Sequence, residues 1–418
     1  MSDIISAFKK AAVVFKTEMQ SDSNQVTVDT VTNDVAKTTT DSPLSNKSNP
    51  VLDNIKQTDS DISIGKTPSP TDDSQIANAT KTTDKSQNNS NIEPSSTAKI
   101  DKQKSTTVAD DGISDSVTNV QQTTEESIIR HSAYLETKKW KVAGLSLRGR
   151  AHIADGSECQ DFHSIESLDN DNKWIINVVS DGAGSAKQSA RGSNANCKLA
   201  CQMFKLLVEK QEWIDNNYFP TEKEWYVECH AIFSTIKSVI VSKANESGVE
   251  PREFNATILV LITTPRGILV AHIGDGRMGY QTKDDQWHSA IKPHKGEEAN
   301  QTVFIPNQWN AISIPAFRMS GIYLPETRTI ETDQIKSYVI MSDGCEHAMW
   351  ICHQFDKEED KFVDINKPGE RFLNPLINDL KELDGEDLNN RMRFIMREGT
   401  SVCLREKDDQ TLVVGLLR

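Results

Sequence analysis

Three apolar runs in this chain end in the same dipeptide. Trp174-Ile175-Ile176-Asn177-Val178-Val179 leads into Ser180-Asp181-Gly182, Gly267-Ile268-Leu269-Val270-Ala271-His272-Ile273 into Gly274-Asp275-Gly276, and Tyr338-Val339-Ile340-Met341 into Ser342-Asp343-Gly344. Short β-branched runs of this kind read as buried strands. A strand that ends in Asp-Gly carries a carboxylate at its tip, and the glycine lets the backbone come close to whatever that carboxylate holds. Taken singly, each Asp-Gly also serves as an ordinary turn or helix cap. Three of them ask for one explanation. If the tips converge, each pair about 4 Å apart repels by roughly 4 kcal/mol at an effective dielectric near 20, a cost that divalent cations cancel. Hard oxygen donors favour Mg²⁺ or Mn²⁺.

The strands occupy only part of the chain. Hydrophobic residues make up 36% of the 418 positions, low for a chain folded throughout. The deficit lies in residues 20–131. Gln20 to Glu126 is dominated by Ser, Thr, Asp, Asn, Lys and Gln, without one aromatic residue. It buries too little apolar surface to offset its ordering entropy, so a disordered linker is expected there. Ahead of it, Ile4, Ile5, Phe8, Ala11, Ala12 and Phe15 fall at helical spacing among Lys9, Lys10 and Lys16, which marks residues 1–19 as a short amphipathic segment. Globular composition returns at 132 and continues to 418. The net charge of −14 argues against non-specific binding to nucleic acid or anionic membrane and points to a protein partner. No apolar run reaches the ~20 residues of a membrane span, and no signal-peptide pattern opens the chain. Seven cysteines without a Cys-x-x-Cys pair read as reduced core residues of a cytoplasmic protein.

Within residues 132–418, Lys139–Leu147 reads as a strand, and Phe162–Leu168 with Trp174–Val179 as a hairpin. Helices follow through Cys197, Cys201 and Phe204, and through Cys229, Ile232, Ile236 and Ile240. Further strands are expected at Phe254–Thr263, Gly267–Ile273, Arg277–Thr282, Ser337–Met341 and Thr411–Leu417. A helix is expected to start over Cys345–Cys352, with more helix over Arg371–Arg397, broken at Asp384-Gly385. An irregular stretch between 286 and 325 has the composition of a flap beside the site. Strands interleaved with helix pairs imply a layered α+β domain.

The motifs now fall into an order. Gln160-Asp161, Ser180-Asp181-Gly182-Ala183-Gly184, Asn255-Ala256-Thr257, Gly274-Asp275-Gly276-Arg277, Met341-Ser342-Asp343-Gly344 and Asp408-Asp409-Gln410-Thr411 together resemble the metal-dependent protein phosphatases of type 2C (PPM-type). The match is best to a divergent bacterial branch with Gly-x-x-His ahead of Gln-Asp. The resemblance covers about Trp140 to Arg418. It implies a two-sheet antiparallel β-sandwich flanked by helices, in α-β-β-α layers, with a binuclear Mg²⁺ or Mn²⁺ site at one end. It further implies that Asp181 bridges the two ions, that the Gly182 carbonyl binds one, and that Asp343 and Asp408 complete the other. Asp161 would orient the attacking water, and Asp275 would contribute to a third, weaker metal site. The implied activity is hydrolysis of phosphoserine and phosphothreonine in proteins.

Three departures from the family pattern stand out. The phosphate-clamping arginine expected five residues before the first aspartate is Gly156, which leaves His152, with Arg148 second, as the candidate clamp. A histidine expected after the second Asp-Gly is Ala183, and the last motif reads Asp408-Asp409 where Asp-Asn is usual. Partners implied by the resemblance are a phosphoprotein substrate, a cognate Ser/Thr kinase and a von Willebrand-type A-domain protein. Two alternatives share the site: a catalytically weak phosphatase-like module that binds phosphoproteins or acts as a scaffold, and a hydrolase of small phosphoesters.

Overall fold

The computed structural model of the chain describes residues 128–170, 173–294, 302–305 and 325–418. The expected amphipathic segment 1–19, the linker as far as 127 and most of the expected flap lie outside the described residues. Thirteen strands are present in the described part. β1 (Ile129–Glu136), β2 (Trp140–Leu147), β13 (Gln410–Leu417), β10 (Ile335–Met341), β7 (Arg277–Thr282) and β8 (Trp287–Ser289) form one sheet in that order. A second sheet is ordered β3 (Phe162–Ser167), β4 (Ile175–Ser180), β5 (Ile258–Thr264), β6 (Gly267–Ile273), β9 (Glu326–Glu331). Every neighbouring pair in both sheets is antiparallel.

The reason the strands read as continuous apolar runs is that both faces are covered. Along β4, Ile175 and Val179 turn into the core between the two sheets with Leu259, Leu261, Val270, Tyr338 and Val413. Ile176 and Val178 turn the other way, onto Phe204, Cys229, Phe233 and Ile236 of two long helices, α2 (Ser189–Lys210) and α3 (Glu222–Glu246). The six-stranded sheet repeats the scheme: Leu145, Val339, Met341 and Val414 pack against Leu373, Leu380, Met392 and Met396. Those belong to α5 (Glu370–Glu382) and α6 (Gly385–Glu398), the last two helices. The result is the expected α-β-β-α sandwich. All seven cysteines are free thiols.

Several elements differ from the sequence reading, β8 and β9 among them. The boundary expected between 131 and 132 falls inside β1, which begins at Ile129 and pairs with Leu147 of β2. A short helix, α1 (Arg150–Asp155), follows β2 where no helix was expected; six residues offer too few positions for a periodic stripe. The helix expected over Cys345–Cys352 is only a 3₁₀ turn (Asp343–Cys345) and the single-turn α4 (Glu346–Met349). Trp350 then opens an antiparallel hairpin, β11 (Trp350–Asp356) with β12 (Lys361–Pro368). The hairpin is tied to the sandwich by Arg277, whose buried guanidinium pairs with Glu346 at 2.9 Å and donates to Asn366 Oδ1 at 2.8 Å. Trp350 Nε1 donates to the same oxygen at 2.9 Å. A long-range buried cation therefore decides this segment, and local propensity does not.

α3 shows how local signals and packing agree. Thr221 and Glu224 form a capping box, with Glu224 N–H on Thr221 Oγ1 and Thr221 N–H on the Glu224 carboxylate. One residue on, Trp225 is fully buried against Phe204, ring centroids 5.3 Å apart, and its Nε1 donates to the Val270 carbonyl at 2.7 Å. Trp225→Ala removes both packing and the bond between helix and sheet. It is expected to destabilise the domain by about 3–5 kcal/mol, read as a shift of the urea midpoint.

Candidate active site

Antiparallel pairing sends the ends of alternate strands to the same edge, and that edge collects the motifs. In one sheet Leu147 at the end of β2 pairs with Gln410 at the start of β13, and Met341 at the end of β10 pairs with both Leu412 and Arg277. In the other, Phe162 at the start of β3 pairs with Ser180 at the end of β4, and Ile258 at the start of β5 with Ile273 at the end of β6. Asp161, Asp181, Asp275, Asp343 and Asp408 each lie one to three residues beyond such an end. The structure thus brings together all five aspartates expected from the sequence.

Backbone and hydroxyl contacts hold the loops. Asp181 N–H donates to Thr257 Oγ1 at 2.9 Å and Thr257 N–H returns to the Asp181 carbonyl at 2.8 Å. Ser180 Oγ and Asn196 Nδ2 both donate to the Thr257 carbonyl. This explains why Asn255-Ala256-Thr257 belongs to the pattern although it carries no charge. Gly182 bridges to Ala256, and Ala183 N–H donates to the Asn255 carbonyl at 2.9 Å. Beside Asp343, the Thr411 N–H donates to Ser342 Oγ at 2.9 Å, and Ser342 N–H to the Thr411 carbonyl at 3.0 Å. Gly344 lies so close to the Asp409 carbonyl that a Cβ there would collide with it. Gly274 has φ +129°, in the region that disfavours side chains, and a Cβ would sit 2.5 Å from Thr257 Cβ.

The electrostatics are those of crowded anions, of which Asp161 is buried, Asp181, Asp275 and Asp343 are half-buried and Asp408 is exposed. Burial pushes the Asp161 carboxyl well above its usual range, Asp409 adds to the shift, and the nearby Ser342 hydroxyl offsets only part of it. Burial likewise raises Asp181, with Asp161 and Asp343 next in importance. Asp275 is pushed up to about 7 by burial and by Asp343, and Asp408 to about 6 by the same two causes. Both oxygens of Asp161 and Oδ1 of Asp343 are buried without a well-formed hydrogen bond. Among the described residues none of the five is ion-paired to a lysine, arginine or histidine. Carboxylates that raise one another's proton affinity and lack a counter-charge among the described residues suit divalent cations of the Mg²⁺ and Mn²⁺ type.

Asp409 differs from its neighbours. One oxygen accepts Gly149 N–H at 2.5 Å and His152 Nδ1 at 2.9 Å, and the other accepts Gln160 N–H at 2.5 Å. All its capacity goes to fixing α1 and the approach to Asp161. Asp408 is the acid of the pair that is left to face Asp343. His152, expected as a phosphate clamp, is therefore engaged through Nδ1, and its side chain is 15% exposed. Arg148 folds back, its Nη2 donating to the His152 carbonyl at 2.8 Å. The glycine at the usual arginine position also has a physical reason: Gly156 is the left-handed C-cap of α1, φ +82°. Sequence reasoning did not single out Asp409 as the residue that holds this corner. The signal was the doubled aspartate, but its partners come from 249 to 260 residues away.

Comparison with known proteins agrees with this geometry. Residues 148–388 match the family described as Protein phosphatase 2C. Serine/threonine-protein phosphatase 3 of Escherichia coli (strain K12) is 25% identical over 284 residues, 66% of this chain and 98% of that protein. Among solved structures, the serine/threonine phosphatase Stp1 from Staphylococcus aureus is 14% identical, with coverage of 69% and 98% and a TM-score of 0.43. The serine-threonine phosphatase 2C from Toxoplasma gondii is 10% identical, with coverage of 69% and 99% and a TM-score of 0.45. The family match defines a phosphoester hydrolase. The chain belongs to the protein phosphatase 2C family and is a protein-serine/threonine phosphatase.

The raised carboxyls set the pH response of the metal-free protein. A folded-state pKa above the unfolded 3.8 means the fold prefers the protonated acid. The stability this contributes is full at low pH and is lost as pH rises from about 4 towards the folded values of about 6 for Asp408 and about 7 for Asp275. Protein stripped with EDTA should therefore lose thermal stability across that window, and saturating Mn²⁺ should remove the loss. A flat melting temperature between pH 4 and 7 without metal would show that the acids are not held together.

Proposed function

We propose that Asp181, Asp343 and Asp408, with the Gly182 carbonyl, would hold a pair of Mg²⁺ or Mn²⁺ ions, that Asp275 would serve a third and weaker site, and that the protein hydrolyses phosphoserine and phosphothreonine in a protein substrate. The observation that carries this reading is the set of carboxylate oxygens at Asp161 and Asp343 that are buried without a well-formed hydrogen bond and without a counter-ion. Divalent ions supply Lewis-acid stabilisation of the phosphoryl oxygens and make water a competent nucleophile near neutral pH. Asp161, with both oxygens available, accepts a hydrogen bond from the attacking water and aligns it with the phosphorus. Water adds to phosphorus, the ester oxygen leaves with a proton drawn from solvent, and the products are inorganic phosphate and the free hydroxyl. Solvent is the proton source in this reading because Ala183 stands where other members carry a histidine.

The nearby thiols are unsuited to a covalent route. Burial raises the pKa of Cys159 and Cys345 well above the ordinary thiol value, and Asp161 raises both further. A neutral thiol is a poor nucleophile. The substrate must be supplied by a Ser/Thr kinase, since only phosphoryl transfer makes the ester that is consumed here. Cytoplasmic placement and a von Willebrand-type A-domain partner belong to the same proposal; the seven free thiols support the first.

His152 has a defined part in this scheme. With Nδ1–H donated to Asp409, Nε2 donates to a phosphate oxygen when it too carries a proton. His152→Ala is expected to lower kcat/KM by about 10–100-fold, the value of one charge-assisted hydrogen bond, while ion affinity holds. Unchanged kcat/KM would remove His152 from the site.

Asp181→Asn should abolish Mn²⁺-dependent turnover of p-nitrophenyl phosphate and of a phosphothreonine peptide, with circular dichroism unchanged. Retained turnover in the purified variant would refute the ion assignment, and turnover of p-nitrophenyl phosphate without any phosphopeptide would favour a small-ester substrate.

A further inference from the structure

His272, His294 and Glu326 form a second group of donors outside the aspartate cluster. His272, near the end of β6, and Glu326, the first residue of β9, are direct cross-strand partners, so their side chains rise side by side from one face of the sheet. His294, beyond β8, stacks on His272 with ring centroids 4.4 Å apart and 23° between the planes. One nitrogen from each ring and one Glu326 oxygen all lie within 4.8 Å of one another.

The protonation of His272 can be read from its bonds. Its Nε2 lies 3.0 Å from the Lys292 carbonyl, which can only accept, so the ring proton sits on Nε2. Nδ1 is then a bare lone pair, and it is buried without a partner in a side chain that is 0% exposed. A buried acceptor of this kind is destabilising unless something occupies it. A backbone carbonyl holding the far N–H of an imidazole is also the arrangement that orients a ligating histidine.

We propose that His272 Nδ1, His294 Nε2 and the Glu326 carboxylate bind one borderline transition-metal ion of the Zn²⁺ class. Two imidazoles and a carboxylate favour such an ion over Mg²⁺, which prefers the all-oxygen cluster. Four-coordinate geometry at about 2.0–2.1 Å places donors roughly 3.4 Å apart. The group must therefore close up, and it has room to do so. Glu326, with a side chain 41% exposed, is held to Lys292 N–H only by a 3.4 Å contact and stands 3.9 Å from His294 Nε2. The His294 ring gives up a 3.3 Å contact from Gly274 N–H to Nδ1; its proton passes by exchange with water from Nε2 to Nδ1, and the neutral ring then offers the Nε2 lone pair to the ion. A fourth position remains for water. The site abuts the Asp275 loop, because Thr302 Oγ1 donates to the His294 carbonyl at 3.2 Å and the same hydroxyl neighbours Asp275. The donor set contains no aspartate, so the inference stands apart from the ion assignment above.

The test uses full-length protein stripped with EDTA and titrated with Co²⁺, followed by its visible absorption. One equivalent should develop the strong band of a four-coordinate nitrogen-containing site in the wild type and in Asp343→Asn alike. Zn²⁺ should displace that ion, and Zn²⁺ affinity should fall by at least about 100-fold in His272→Gln and in Glu326→Gln. Should buried His272→Gln fail to fold, Glu326→Gln at the rim decides alone, with folding checked by circular dichroism. Absence of the band, or an unchanged band and Zn²⁺ affinity in Glu326→Gln, overturns the proposal. So does loss of the band in Asp343→Asn, which would assign the ion to the aspartate cluster.

Discussion

Everything at the working end of this domain depends on a repulsion. Asp161 is buried, Asp181, Asp275 and Asp343 are half-buried and Asp408 stands exposed at the rim, and loss of hydration together with mutual charge raises the proton affinity of Asp161, Asp181, Asp275 and Asp408. Such an arrangement persists only if the scaffold is stable enough to carry it. Here that scaffold is three stacked apolar cores, two between sheet and helix and one between the sheets. In the proposed assignment an ion bound here would remove both the repulsion and the desolvation cost of the charged acids.

The polar groups around the cluster divide into two kinds. Thr257, Ser342, Thr411 and Asn196 spend their hydrogen bonds on backbone and set the loops at the correct height. Asp409 does the same with a charge, accepting from two backbone N–H groups and from His152. Because Asp409 is fully occupied, Asp408 alone of the doubled pair is left to face Asp343. Tandem identical residues thus take opposite tasks, and the difference lies wholly in which of them the α1 loop reaches.

Much of this was legible before any coordinates. Strand tips at Asp181, Asp275 and Asp343 follow from apolar runs that end in Asp-Gly, and the two long helices follow from stripes such as Cys229, Ile232, Ile236 and Ile240. These signals are local and repeated, so they survive without tertiary information. The β11–β12 hairpin was missed because the short apolar spacing around Met349, Trp350 and Cys352 suits helix and strand equally. Its conformation is set by Arg277, Glu346 and Asn366, which are remote in sequence. β1 was not expected because its exposed and half-buried residues alternate weakly against the polar stretch before it.

By itself the sequence determined the layered α+β class and the order of the carboxylate-bearing strand ends, because hydrophobic period is a property of residue types. Only the tertiary structure decided that Asp409 braces while Asp408 faces the cluster, that His152 is held through Nδ1, and that His272, His294 and Glu326 meet at all. Those outcomes depend on which strands become neighbours and in what register. Antiparallel pairing across tens to hundreds of residues brings together groups whose separation along the chain carries no trace of it.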